Sequence, residues 1–153
     1  MKTLLCGDFD HEERTLWLER LSNACPGVTW LDETQARQAP GQVRAAVVAR
    51  PPRGSLQGYP RLGLIQSLWA GVDALLADPT VPTEVPLARM VDPAMNDAMA
   101  ETALWAALSL QRRFFDYAAQ QRQGLWRPLP QVRADAWHVL VLGLGQMGLT
   151  AAR

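Results

Sequence analysis

Apolar and polar positions fall in blocks along the 153 residues: short, wholly apolar runs separated by stretches with helical spacing. Residues 4–6 read as a strand, with Asp8 or Asp10 placed to cap the helix behind it. In that helix Trp17, Leu18, Leu21 and Cys25 recur at helical spacing, while Glu12, Glu13, Glu19 and Arg20 lie mostly opposite. Pro26-Gly27 ends it. Residues 28–31 make a second strand and 45–49 a third, apolar throughout, as parallel strands buried on both faces are. A fourth strand is expected over 64–68 and a fifth over 86–90. Strands alternating with helices predict a doubly wound α/β layer, and the Pro- and Gly-rich stretches 51–63 and 78–86 read as surface loops.

From about residue 94 to 121 the pattern becomes one long helix. Met99, Ala103, Ala106, Ala107, Leu110 and Phe114 fall on one stripe, and Leu104, Trp105 and Leu108 widen it. So broad an apolar face implies packing on more than one neighbour, as in a helix bridging two domains. The segment 124–130 cannot continue the helix, because Pro128 and Pro130 lack a backbone donor; it exposes or docks Trp126.

Residues 139–142, Val-Leu-Val-Leu, then run into Gly143-Leu144-Gly145-Gln146-Met147-Gly148. An apolar strand turning through G-x-G-x-x-G into a helix is a site for the pyrophosphate of a dinucleotide. Gly143 permits the tight bend, Gly145 lets backbone approach the phosphates, and Gly148 lets helix and strand pack closely. The helix N-terminus supplies amides and a positive dipole end. Only five residues follow Gly148, so the rest of such a domain is expected to lie beyond Arg153.

Composition narrows the classes. Hydrophobic residues at 48% and charged ones at 20% fit a globular protein. Fifteen basic residues balance fifteen acidic ones, so no net field draws nucleic acid or anionic lipid. Cys6 and Cys25 form no C-x-x-C pair and no metal-ligand spacing, and read as reduced thiols. The amino-terminal apolar stretch is too short for a signal peptide, and the most apolar helical stretch, 102–110, is about half the ~20 residues that span a bilayer. A cytoplasmic protein without nucleic-acid, membrane or metal partners is expected.

Four blocks in order carry a resemblance. They are Ser67-Leu68-Trp69-Ala70-Gly71-Val72-Asp73; Pro86-Leu87-Ala88-Arg89 through Met95; Met99-Ala100-Glu101 with Arg112-Arg113-Phe114-Phe115-Asp116-Tyr117; and the arm Trp126-Arg127-Pro128-Leu129-Pro130 leading into the glycines. With them the chain resembles the D-isomer-specific 2-hydroxyacid dehydrogenase family, most of all its bacterial glyoxylate/hydroxypyruvate reductase branch. The resemblance covers about the last ninety residues.

It implies an α/β protein: the amino-terminal part of a flavodoxin-like substrate domain (1–95), an interdomain helix and dimerisation arm (96–133), and the first βα unit of a Rossmann NAD(P)-binding domain (134–153). The implied activity of the longer parent is NAD(P)H-dependent reduction of small 2-oxo acids, glyoxylate and hydroxypyruvate, by a homodimer. Amides of Ala70, Gly71 and Val72 would hold the substrate carboxylate. Alternatively, Gly71 simply opens a helix over 72–77 that Asp73 caps. Trp69 would be pocket wall or core. Arg50, at a strand's carboxyl end, faces the cleft or stands solvated; Arg89 has the same choice, with a structural ion pair favoured. Met99 passes the nicotinamide or fills the core. Gly143, Gly145, Gln146, Met147 and Gly148 would hold the NADP or NAD.

The family's acid/base histidine, its carboxylate partner and its carbonyl-polarising arginine belong beyond Arg153, so His11 and His138 read as structural and these residues alone as inactive. Two rivals remain: a dinucleotide-regulated, corepressor-like binding module on the same fold, and a truncated product that never folds alone, its strand at 139–142 left without neighbours.

Overall fold

The computed structural model describes all of residues 1–153, which divide into two compact units, Met1–Val91 and Asp92–Arg153. The first unit is built on β1 (Lys2–Gly7), α1 (His11–Ala24), β2 (Thr29–Leu31), α2 (Glu33–Gln38), β3 (Val43–Ala49), β4 (Ile65–Ser67), α3 (Asp73–Leu76) and β5 (Leu87–Ala88). All five strands are parallel, in the order β2-β1-β3-β4-β5. That is the flavodoxin-like order, with its topological switch between β1 and β3. Cys6 lies opposite Val48 and Gly7 opposite Ala49.

The core follows from the apolar runs. Leu4, Cys6, Val43, Ala46, Val48 and Ile65 are fully buried, as central parallel strands covered on both faces require. Asp10, not Asp8, caps α1, its carboxylate accepting from the Glu13 amide at 2.8 Å. In α1 the expected stripe is only half covered: Trp17, Leu18 and Leu21 are partly buried, and Cys25, the residue ending the helix, is exposed.

Three expectations for this unit need correction. The 51–63 stretch is not merely surface, because Leu56, Tyr59 and Leu62 join the core. Backbone turns make this possible without a helix: Ser55 N to Pro52 O, Gln57 N to Gly54 O, and Leu62 N to Tyr59 O, with Gly54 and Gly58 at positive φ. The expected strand 86–90 shrinks to Leu87–Ala88, since Pro86 brings no amide to a ladder. The helix at 72–77 is Asp73–Leu76, and Asp73 is its first residue, not its cap; Val72 holds the cap position without a side-chain bond.

A polar knot sits among these apolar neighbours. The Cys6 thiol donates to Glu33 at 2.6 Å, and burial together with that carboxylate pushes its pKa up to about 12. The Tyr59 hydroxyl is likewise pushed up, first by burial. On the loops, Asp78 accepts from the Thr80 hydroxyl and amide, which holds its carboxyl below the usual range. Thr80 in turn accepts from the Gly54 amide, tying the two loops together.

The second unit contains α4 (Pro93–Gln111), α5 (Phe114–Arg122) and α6 (Gln146–Ala151). Asp92 caps α4 and Pro93 opens it, each in its preferred place. The single helix expected over 94–121 is two helices. Arg113 adopts φ 60°, ψ 30°, and the Arg112 and Arg113 amides close back on Leu108 and Leu110. A left-handed residue past the last turn is how helices commonly stop, usually at glycine; here an arginine takes that role. Trp105 and Phe115 meet edge-to-face across the break, centroids 6.2 Å apart. The strand expected at 139–142 is absent: those residues join no ladder, and a strand exists only with a neighbour to share its hydrogen bonds. No helix is long and apolar enough to cross a membrane.

Candidate functional site

In the first unit, ligands of such sheets bind beyond the carboxyl ends of the strands at the switch point. Gly7 ends β1 there. A methyl on Gly7 would overlap the Ala49 carbonyl oxygen and come within 2.9 Å of the Phe9 ring, so only glycine lets β1 and β3 finish this close. The Asp8 amide then donates to Ala49 O at 2.9 Å, sealing the pair.

Just past β3 stands Arg50, in the left-handed region at φ 45°. That conformation costs a non-glycine residue on the order of 1 kcal/mol. Its guanidinium lies over the Trp69 ring, 5.0 Å from the centroid. It enters no ion pair and no side-chain hydrogen bond. Trp69 keeps 44% of its surface exposed and is not a buried core aromatic.

The turn after β4 is locked from beneath. The buried Ser67 hydroxyl accepts from the Trp69 amide and lies within bonding distance of the Trp69 carbonyl, both at 3.1 Å. Arg89 donates to the Ala70 carbonyl at 3.2 Å; it is a backbone strut, not the ion pair favoured from sequence. With these carbonyls occupied, the amides of Ala70, Gly71 and Val72 are left without any acceptor in the protein. A methyl on Gly71 would meet only Asp73 Oδ2, at 3.9 Å, so the space above the turn is open. Three free amides on one turn are the kind of donor set from which anion-binding concavities are built. Gly7, Ser67 and the Arg89 strut were not singled out from sequence. The Ser67-x-Trp69 spacing, a hydroxyl two residues before the amide it binds, was the available signal.

In the second unit the glycines behave as their spacing requires. Gly143 takes φ +90°. A methyl on Gly148 would overlap the Gly143 carbonyl oxygen and approach its carbon to 3.1 Å. Gly145 caps α6, with nothing within 4 Å of where its side chain would start. The first amide of α6 to find an acceptor is that of Leu149, on Gly145 O at 2.9 Å, leaving those of Gln146 and Met147 free. This donor set suits a pyrophosphate. Met99 is 48% exposed on α4. Trp126 is 95% exposed. Its arm is pinned to α5 by Leu129 N on the Tyr117 hydroxyl and Arg127 N on Gln120 Oε1, both at 3.0 Å. An open apolar groove runs beside it, lined by Phe114, Tyr117, Leu125, Trp126 and Pro128.

No protein-family profile matches the chain. Curated relatives do. Glyoxylate/hydroxypyruvate reductase A of Serratia proteamaculans is 37% identical over 154 residues, spanning 95% of this chain and 46% of the relative. The Klebsiella pneumoniae enzyme of the same name is 33% identical over 89% of this chain and 44% of its own. Among solved structures, a D-isomer-specific 2-hydroxyacid dehydrogenase from Xanthobacter autotrophicus Py2, in complex with NADPH and MES, superposes with TM-score 0.83 at 33% identity, over 97% of this chain and 49% of that one. The NADPH-dependent glyoxylate/hydroxypyruvate reductase of Sinorhizobium meliloti, in complex with NADP and sulfate, gives 0.81 at 30%, over 99% and 48%. The chain thus spans about half the length of the proteins it matches. Over that half the chain is similar, in sequence and in fold, to D-isomer-specific 2-hydroxyacid dehydrogenases and to glyoxylate/hydroxypyruvate reductases.

Proposed function

We propose that this chain provides the carboxylate-binding turn and the pyrophosphate-binding turn of an NAD(P)H-dependent reductase of small 2-oxo acids, glyoxylate and hydroxypyruvate foremost. The observation that carries the substrate half is the set of unused amides at Ala70, Gly71 and Val72. They bind the substrate carboxylate and so fix which end of the acid faces the reacting centre. The cofactor half rests on Gly143, Gly145 and Gly148 with the free amides of Gln146 and Met147, which hold the pyrophosphate of NADP or NAD. NADP is the form held in both complexes described above. When bound, the nicotinamide supplies the hydride. Met99 and Glu101 border its face on the interdomain helix, and the domains divide as 1–95, 96–133 and 134–153. The proton donor and the carbonyl-polarising cation we assign outside these residues. His11 and His138 are both exposed, and neither has a carboxylate partner.

The enzyme expressed from its complete coding sequence should oxidise NADPH in the presence of glyoxylate or hydroxypyruvate. Gly71→Pro removes one donor and bends the turn. A hydrogen bond to a charged group is worth about 1.5–3 kcal/mol, so KM should rise about tenfold or more. Unchanged kinetics in a folded variant would remove the turn from the substrate site.

The assembly we propose is a homodimer with Trp126 at its interface. A tryptophan 95% exposed beside an apolar groove suits a two-fold contact, the commonest closed symmetry. Truncating such an anchor costs about 2 kcal/mol or more, so Trp126→Ala should weaken the dimer roughly thirtyfold. Sedimentation velocity reads this directly: a parent that is monomeric at micromolar concentration overturns the dimer.

A further inference from the structure

We propose that Arg89 strengthens carboxylate binding without touching the substrate: its charge acts through the Ala70–Gly71 peptide, whose amide is one of the donors. This rests on the carboxylate role of the Ala70–Val72 turn.

Each amide of the turn shares a peptide unit with the carbonyl of the residue before it. That unit is planar and resonance-linked, so a donor on its oxygen draws electron density from its nitrogen and makes the N–H a stronger donor in turn. The protein distributes such donors unevenly along the turn. Trp69 O, in one peptide with the Ala70 amide, lies 3.1 Å from the Ser67 hydroxyl and accepts from the Met90 amide at 3.3 Å. Ala70 O, in one peptide with the Gly71 amide, accepts from Arg89 Nη1 at 3.2 Å. Gly71 O, in one peptide with the Val72 amide, accepts from no donor. Ala70 and Gly71 therefore carry the polarised amides, and Val72 the plain one.

Of these bonds only the one from Arg89 brings a full charge. Its guanidinium enters no ion pair, so no carboxylate of the protein cancels it. A carboxylate held by the Gly71 amide sits at the opposite end of the same peptide dipole and feels that cation as well as the sharpened N–H. Arg89 is exposed, so its contribution is screened by salt, whereas the neutral bonds on Trp69 O are not. Ionic strength thus separates the charge of Arg89 from its work as a strut, and makes it a positioning residue with an electrical signature.

The test uses the enzyme from its complete coding sequence at saturating NADPH. It reads KM for glyoxylate and the inhibition constant of glycolate, a carboxylate that accepts no hydride, at low and at high ionic strength. Arg89→Met should raise both constants about three- to fivefold, the scale of a partly screened surface charge. The loss should fall on KM more than on kcat, because the carboxylate is held alike before and during hydride transfer. The salt dependence of both constants should flatten. Arg89→Gln, neutral but still a donor, should flatten it too, and Arg89→Lys should restore affinity and slope together. Ser67→Ala removes a neutral bond, so it should weaken binding while keeping the parent's slope. A strut that acted by shape alone would not divide lysine from glutamine. Constants within about 1.5-fold of the parent in Arg89→Met and Arg89→Gln, or weaker binding with the parent's salt slope, overturn the proposal and leave the turn to be judged by Gly71→Pro. If Gly71→Pro also leaves both constants unchanged, the carboxylate reading falls, and the role of Arg89 with it.

Discussion

Gly148→Ala is expected to weaken the proposed dinucleotide site and to loosen the second unit at the same time. The added methyl overlaps the Gly143 carbonyl oxygen, which belongs to a residue already committed to φ +90°. Relief requires opening the turn between residues 143 and 148. Overpacking of this kind costs about 1–3 kcal/mol, which in binding is about 5–150-fold. NADPH titration of the complete enzyme should therefore show weakening of that order, together with a lower Tm. Gly145→Ala provides the contrast. Its methyl meets no protein atom within 4 Å, so Tm should hold while NADPH affinity falls, because the space it enters is where the proposed site would seat the phosphates. If Gly148→Ala binds NADPH as the parent does, these glycines do not form the pyrophosphate turn.

The second large effect lies at the switch point of the sheet. Gly7→Ala drives a methyl into the Ala49 carbonyl oxygen and to 3.0 Å from its carbon, where the Asp8 amide makes its 2.9 Å bond. Both partners are backbone of adjacent strands, with Cys6 and Val48 fully buried just before them, so neither strand has room to retreat. A loss of about 2–3 kcal/mol should lower Tm by about 4–12 °C. Gly27→Ala, with open space around it, serves as the control and should stay near the parent. An unchanged Tm in Gly7→Ala would mean that the two strands do not end in contact.

Sequence carried some of these features and not others, for physical reasons. Strand β3 was legible because a strand covered on both faces must be apolar at every position, and Val43 and Ala45–Ala49 are. Gly143 and Gly148 were legible because each answers a steric demand, a positive φ in one and a close backbone approach in the other, that no other residue meets. The break at Arg113 was not: apolar spacing continues past it, and nothing marks an arginine that goes left-handed. Leu56, Tyr59 and Leu62 were hidden in a stretch without period, since their burial depends on turns and not on a regular element. The turn proposed to bind the carboxylate was pointed out by resemblance. Its three idle amides are visible only once Ser67 and Arg89 are found holding the carbonyls around them. Arg50 was placed correctly at a strand end, but its backbone angle and its stacking on Trp69 are facts of three dimensions.

The buried thiol of Cys6 has a practical corollary. With a pKa pushed up to about 12 and its proton engaged by Glu33, Cys6 stays a thiol at pH 8, and the thiolate is what attacks maleimides, iodoacetamide and peroxide. Cys25, at the exposed end of α1, is open to reagents from solution. Within these residues the folded protein therefore offers a single reactive handle: a dye or spin label added under native conditions lands on Cys25, and the slow appearance of a second label at Cys6 becomes a clock for the opening of the sheet.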